Sequence, residues 1–166
     1  MKKKILTIFG VGILALIIFC AVCFFIHSRL DASSKAYVDT NIPLIVSPWS
    51  KAQLSQRVSS DYRQHVPDEQ MSFDFDNFAK LGALKKYEGS EGTSFFLIGT
   101  KTGKVVTANY SANATFENGD AEIIIGLIKE NGDWRISRFV VNAPMFKDQK
   151  TFKELSAQFP IHPISK

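Results

Sequence analysis

Cysteine is almost missing from this chain. Its 166 residues hold two, Cys20 and Cys23, and both lie in one apolar N-terminal run. Everything after that run therefore forms no disulfide and no thiolate metal site, and has to be stabilised by a buried core. Histidine is equally scarce: beyond the N-terminal segment only His65 and His162 occur, with no partner at metal-ligand spacing. No metal and no other cofactor is expected. Net charge is missing too, once it is counted by segment. The whole chain carries +4, but residues 1–30 hold Lys2, Lys3, Lys4 and Arg29 and no acid, so the remaining 16 of the 20 basic residues face all 16 acidic ones. Without a basic patch the electrostatic attraction that dominates phosphate-backbone binding is absent, and nucleic acid is excluded as an expected partner.

What is present first is a long hydrophobic run. Residues 5–26 are apolar apart from Thr7, and at about 1.5 Å per residue a helix of this length crosses a hydrocarbon core of about 30 Å. The lysines of residues 1–4 place that end in the cytoplasm and the rest of the chain outside it. A cleaved signal peptide begins in the same way, but its apolar region is usually about 7 to 15 residues long. The small pair Ser34 and Ala36 lies far past the run, and Phe19 and Val22 precede the two cysteines, which does not suit lipoprotein processing. The expectation is a retained single-pass anchor in a bacterial inner membrane, with lipid as its partner and a periplasmic domain.

Residues 27–46 mix Ser, Lys, Asp and Asn and read as a stalk meeting the domain near Pro43. Ser47 and Pro48 suit the cap and first turn of a helix bearing Leu54, Val58 and Tyr62, ending near His65 before Pro67. A second helix is expected over about Asp74 to Lys86, with Phe75, Phe78, Leu81 and Leu84 on one face. Gly82 is either buried in close packing there or ends the helix early. From Ser94 the period changes to alternation. Glu117-Asn118-Gly119-Asp120 and Glu130-Asn131-Gly132-Asp133 each place Asn-Gly between β-prone runs, which predicts two tight hairpins and an antiparallel meander. Ala108, Tyr110, Ala112, Ala114 and Phe116 share one face of its long strand. Trp134 and Ile136 sit in one phase and Phe139 and Val141 in the other, so a bulge is expected at Ser137-Arg138.

The expected class is α+β: N-terminal helices on a bent antiparallel sheet over residues 47–143, then a C-terminal amphipathic segment and tail over 144–166. Phe78-x-x-Leu81-Gly82-x-Leu84-x-x-Tyr87-x-Gly89, Ala108-x-Tyr110-x-Ala112-x-Ala114-x-Phe116-x-Asn118-Gly119-x-Ala121 and Gly132-x-Trp134-x-Ile136-x-x-Phe139 together carry a resemblance. The chain resembles the nuclear transport factor two-like (cystatin-like) superfamily, particularly its small exported bacterial members. The resemblance implies a cone-shaped domain. Members include enzymes, pocketed binding proteins and assembly modules, so it does not choose a function.

An enzyme of that fold needs a base inside the cone and a donor facing it. Asp61, Tyr62 and His65 cluster on the first helix, but Asp61 lies off the apolar stripe and no catalytic constellation results. The expectation is a non-enzymatic binding or scaffold module that acts through a protein partner or self-association. The alternative is a pocket for a small apolar ligand, for which Tyr62, Tyr110 and Trp134 are the candidate lining residues. Phe152, Leu155 and Phe159 form a stripe that either closes the core or docks a partner.

Overall fold

The computed structural model describes the backbone of residues 2–99 and 103–146, with side chains for 12–96 and 105–146. It is an α+β protein in which a long N-terminal helix leads into an open four-stranded antiparallel sheet. The candidate C-terminal stripe of Phe152, Leu155 and Phe159 lies outside the described residues.

Helix α1 runs unbroken over Lys2–Val46. The expected stalk is thus a correction: residues 27–46 continue the apolar helix instead of leaving it. The physical reason is a second stripe hidden in polar composition. Ser34, Val38, Ile42 and Ile45 recur at helical spacing and all are fully or almost fully buried. Pro43 falls in the last turn, where it removes one N–H and the helix is about to end. Before that stripe, Ile17, Phe19, Phe24 and Phe25 are exposed, on a helix long and apolar enough to cross a membrane.

The single helix expected from Ser47 to His65 is divided. A turn with Trp49 at φ 46° leads to α2 (Lys51–Ser55), capped by Ser50, and then to α3 (Ser60–His65), capped by Ser59. Between them the backbone is pulled straight by pairing. Val58 bridges Ile136 in parallel, with Ser59 N–H donating to the Ile136 carbonyl at 2.8 Å and Ile136 N–H to the Arg57 carbonyl at 2.8 Å. Helix α4 (Asp68–Phe78) begins six residues before the expected Asp74, since Pro67 is a fixed-φ start and Met71 joins Phe75 and Phe78 on the buried face. A 3-10 turn over Ala79–Leu81 ends it at Gly82, whose φ of +77° suits a residue without Cβ.

Strands β1 (Leu84–Gly99), β2 (Gly103–Phe116), β3 (Gly119–Glu130) and β4 (Asp133–Asn142) pair in sequence order. β1 starts ten residues before the expected Ser94. At the β3–β4 turn Asn131 and Gly132 both have positive φ, as the expected hairpin requires. At the earlier repeat Phe116 pairs with Gly119, so Glu117-Asn118 forms the turn and only Gly119 takes positive φ. The bulge lies where alternation breaks. Gly126 faces Arg138 and Leu127 faces Ile136, leaving Ser137 as the extra residue, and burial passes from Trp134 and Ile136 to Phe139 and Val141.

One sheet face carries the core. Phe116 stacks on Trp49 with ring centroids 5.0 Å apart, and Phe75 stacks on Phe139 at 6.2 Å, with Phe78 edge-on to both Phe75 and Phe139. Ala108, Ala112 and Ala114 of β2 are buried on the same face. Their small side chains leave room for the C-terminal half of α1 to lie close to the sheet.

Candidate functional site

The polar chemistry of this molecule concentrates where α1 meets the edge strand β1. Asp31 accepts hydrogen bonds from Ser94 N–H and Ser94 Oγ, both at 2.6 Å, and from Thr93 Oγ1 at 3.2 Å. Two helical turns later, Asp39 accepts from Ser90 N–H at 2.8 Å, from the Tyr87 hydroxyl at 3.0 Å and from Lys35 Nζ at 2.7 Å. Lys35 also donates to the Ser90 carbonyl. An edge strand presents unpaired backbone donors, and these carboxylates on the helix satisfy two of them. Charge-assisted bonds of this kind are stronger than neutral ones. Burial works to raise the pKa of both carboxyls, but the donors around them outweigh it and hold both below the usual carboxylate range.

Between the two carboxylates lies a pair of serines. Ser34 Oγ and the Tyr110 hydroxyl share a hydrogen bond at 2.8 Å, and Tyr110 donates to the Asp31 carbonyl at 3.2 Å. Trp134 Nε1 donates to Ser33 Oγ at 3.0 Å. The structure thus brings two of the three candidate pocket residues to neighbouring positions of α1. Tyr110 is buried beneath the helix, its pKa raised chiefly by that burial. Tyr62 stands apart on α3, where burial, and then the charge of Asp74, push its hydroxyl up to about 12.

Beside Trp134 the surface opens into a groove of about 770 Å³ between α1, the end of α2 and the β3–β4 hairpin. Tyr37, Arg57, Lys129, Asp133, Trp134 and Arg135 line it, so three cations face one carboxylate. Arg57 is held by Asn41 Oδ1 at 2.6 Å and by the Gln53 carbonyl at 2.8 Å. Arg135 donates to the Gln56 carbonyl at 3.2 Å, and Lys129 Nζ stands 5.3 Å from the Trp134 ring centroid. Rigid aromatic surface next to fixed guanidinium groups can hold a polypeptide carrying apolar and acidic side chains.

Asp31, Ser34 and Asp39 were outside the candidate residues read from the sequence. Their signal is the recurrence of short polar side chains along the apolar stripe of Val38 and Ile42, which is legible only once residues 27–46 are treated as helix. Comparison with known families, curated proteins and solved structures finds no match, so the site is read from its own geometry. That geometry defines an α+β domain fixed to the end of a long apolar helix.

Proposed function

We propose that this chain is a membrane-tethered, non-enzymatic scaffold or binding module, with its domain on the periplasmic side of a bacterial inner membrane. The observation that carries the reading is the continuity of α1 from the apolar run into the core, with Asp31 and Asp39 fastening it to β1. A flexible stalk lets a domain wander; a helix locked to the sheet presents one face of the domain at a set height and rotation above the bilayer. That suits a module acting through protein contacts. Lys2, Lys3 and Lys4 ahead of the span support a cytoplasmic N-terminus. Helices preceding a bulged antiparallel meander support the cone-shaped, nuclear transport factor two-like shape.

The groove beside Trp134 is the contact surface in this reading. A photoreactive amino acid at Tyr37 or Arg135 of the full chain, irradiated in intact membranes, is expected to give a discrete crosslinked species, either a second copy or another protein. Absence of any such species across expression levels would sink the proposal. Binding of a small apolar ligand is the second reading, favoured by Tyr37 and Trp134 in the groove wall. An amphiphile that raises the melting temperature and blocks the crosslink would place it first.

A further inference from the structure

We propose that the β1–β2 hairpin is a second membrane contact, entering the lipid headgroup and upper acyl region beside α1. The inference rests on α1 being a membrane span. Two hydrogen bonds fix where the hairpin lies along that helix. Ser90 N–H meets Asp39 and Ser94 N–H meets Asp31. Four strand residues at about 3.3 Å each cover about 13 Å, and eight helix residues at about 1.5 Å each cover about 12 Å. The two lengths agree, so β1 runs nearly along the α1 axis and in the opposite direction, toward the apolar run.

The strand does not stop at Ser94. Its ladder with β2 continues through Phe95↔Thr107 and Phe96↔Val106 to Gly99↔Gly103. From Ser94 to Gly99 this adds about 17 Å, whereas Asp31 stands only about 7.5 Å along the helix from Ile26, the end of the apolar run. The hairpin therefore reaches the level of the hydrocarbon boundary and passes it.

What it carries toward that level suits the headgroup layer, because Phe95 and Phe96 stand about 3 and 7 Å beyond Ser94. Phe96 is 37% exposed on the face of β1 that nearer the domain presents buried Ser90 and Ser94 to α1, and Phe95 is 45% exposed on the opposite face. In sequence the twelve residues from Phe95 to Val106 contain no acid, and their only charges are Lys101 and Lys104. Aromatic and aliphatic side chains flanked by lysine are the composition that enters a headgroup layer of anionic lipid. A lipid surface is chosen over a protein partner because β1 runs beside α1 toward the apolar run and places Phe95 and Phe96 just outside its end. The contact gives the domain a second point of support, so that α1 no longer rotates or tilts independently of the sheet.

The full chain, with Cys20→Ser and Cys23→Ser, is reconstituted in phosphatidylethanolamine–phosphatidylglycerol vesicles and carries one nitroxide at a time, through Phe95→Cys, Asn113→Cys or Ile17→Cys. Collision with oxygen against collision with a water-soluble nickel complex reports depth. The expected result is an immersed, oxygen-dominated label at 17, an aqueous, nickel-dominated label at 113, and a label at 95 of headgroup depth, with an oxygen-to-nickel ratio between the other two. An aqueous label at 95 with an immersed one at 17 overturns the hairpin inference and leaves the anchor standing. An aqueous label at 17 overturns both. Shielding of position 95 from both reagents marks a protein contact and overturns the lipid assignment. Phe95→Trp provides a second measurement that conserves an aromatic side chain. It is expected to add fluorescence quenched by brominated acyl chains relative to the parent chain, and no added quenching overturns the proposal.

Discussion

Asp39 on α1 takes both the backbone N–H of Ser90 and the hydroxyl of Tyr87 on β1, at 2.8 and 3.0 Å. One carboxylate thereby closes two donors of an edge strand, and Asp31 repeats the arrangement at Ser94. Removing such an acceptor takes from the Ser90 or Ser94 N–H the carboxylate it donates to, at a cost of about 1 to 3 kcal/mol each time. Asp39→Ala is expected to destabilise the domain by about that amount in a urea titration of the detergent-solubilised chain, and Asp31→Ala likewise. Amide exchange should quicken at Ser90 in the first variant and at Ser94 in the second. An unchanged exchange pattern in both would remove the clasp as the device that couples helix to sheet.

The same pair sets a response to acid. Burial alone would raise both pKa values, but the hydrogen bonds from Ser94 and Thr93, and from Lys35, Ser90 and Tyr87, bring them below the usual carboxylate range. A carboxyl whose folded pKa is depressed contributes stability that is present above its unfolded pKa and is lost as pH falls through the folded one. Protection of the Ser90 and Ser94 amides, corrected for intrinsic exchange, is expected to be flat from about pH 5 to 7 and to fall below about pH 4. Protection in β3, which α1 does not fasten, should fall less over the same interval.

Asp74 works in the opposite sense. Burial on α4 raises its pKa, with the hydrogen bond from Gln70 Nε2 at 2.9 Å opposing that shift. A raised folded pKa favours folding below the unfolded value of 3.8 and loses that advantage as pH rises through the folded value. At neutral pH the ionised group is a burden. Asp74→Asn keeps an oxygen for Gln70 and is expected to raise the melting temperature at pH 7 while changing it little near pH 3. Tyr62, which burial and Asp74 push up to about 12, should then titrate at lower pH when followed by phenolate absorbance.

The meander of the sheet was readable in advance where its determinants are local, whereas the first ten residues of β1 and the Glu117-Asn118 turn were not. Alternation of Ala108 through Phe116, the Asn131-Gly132 turn and the phase change between Ile136 and Phe139 each act within a few residues, and all three appear as expected. The helices were read less well because tertiary partners decide them. Val58 looks helical by spacing, yet its neighbours pair with Ile136, far along the chain, and the helix divides there. Residues 27–46 look like a stalk because Asp31, Ser34, Lys35 and Asp39 are polar. Those side chains face polar groups of β1 and β2 rather than water alone, so composition concealed a buried helix face. Of the pocket candidates, Tyr110 and Trp134 do converge, but on serines of that helix.

Gly92 tests how tightly β1, β2 and α1 are fitted together. A Cβ built on it would stand 2.0 Å from the Asn109 carbonyl oxygen and 2.8 Å from both Cα and Cδ1 of Tyr110. The first contact is with backbone, which no rotamer change relieves. Tyr110 has little freedom to retreat either, since its hydroxyl is bound to Ser34 and to the Asp31 carbonyl. Gly92→Ala is therefore expected to separate β1 from β2 locally and to cost at least the about 1 to 3 kcal/mol typical of overpacking. Ser34→Ala in the same chain releases one anchor of Tyr110, and the two losses should then sum to less than their separate values. Additive losses, or a Gly92→Ala chain as stable as the parent in urea, would show that the strand pair yields without straining the helix contact.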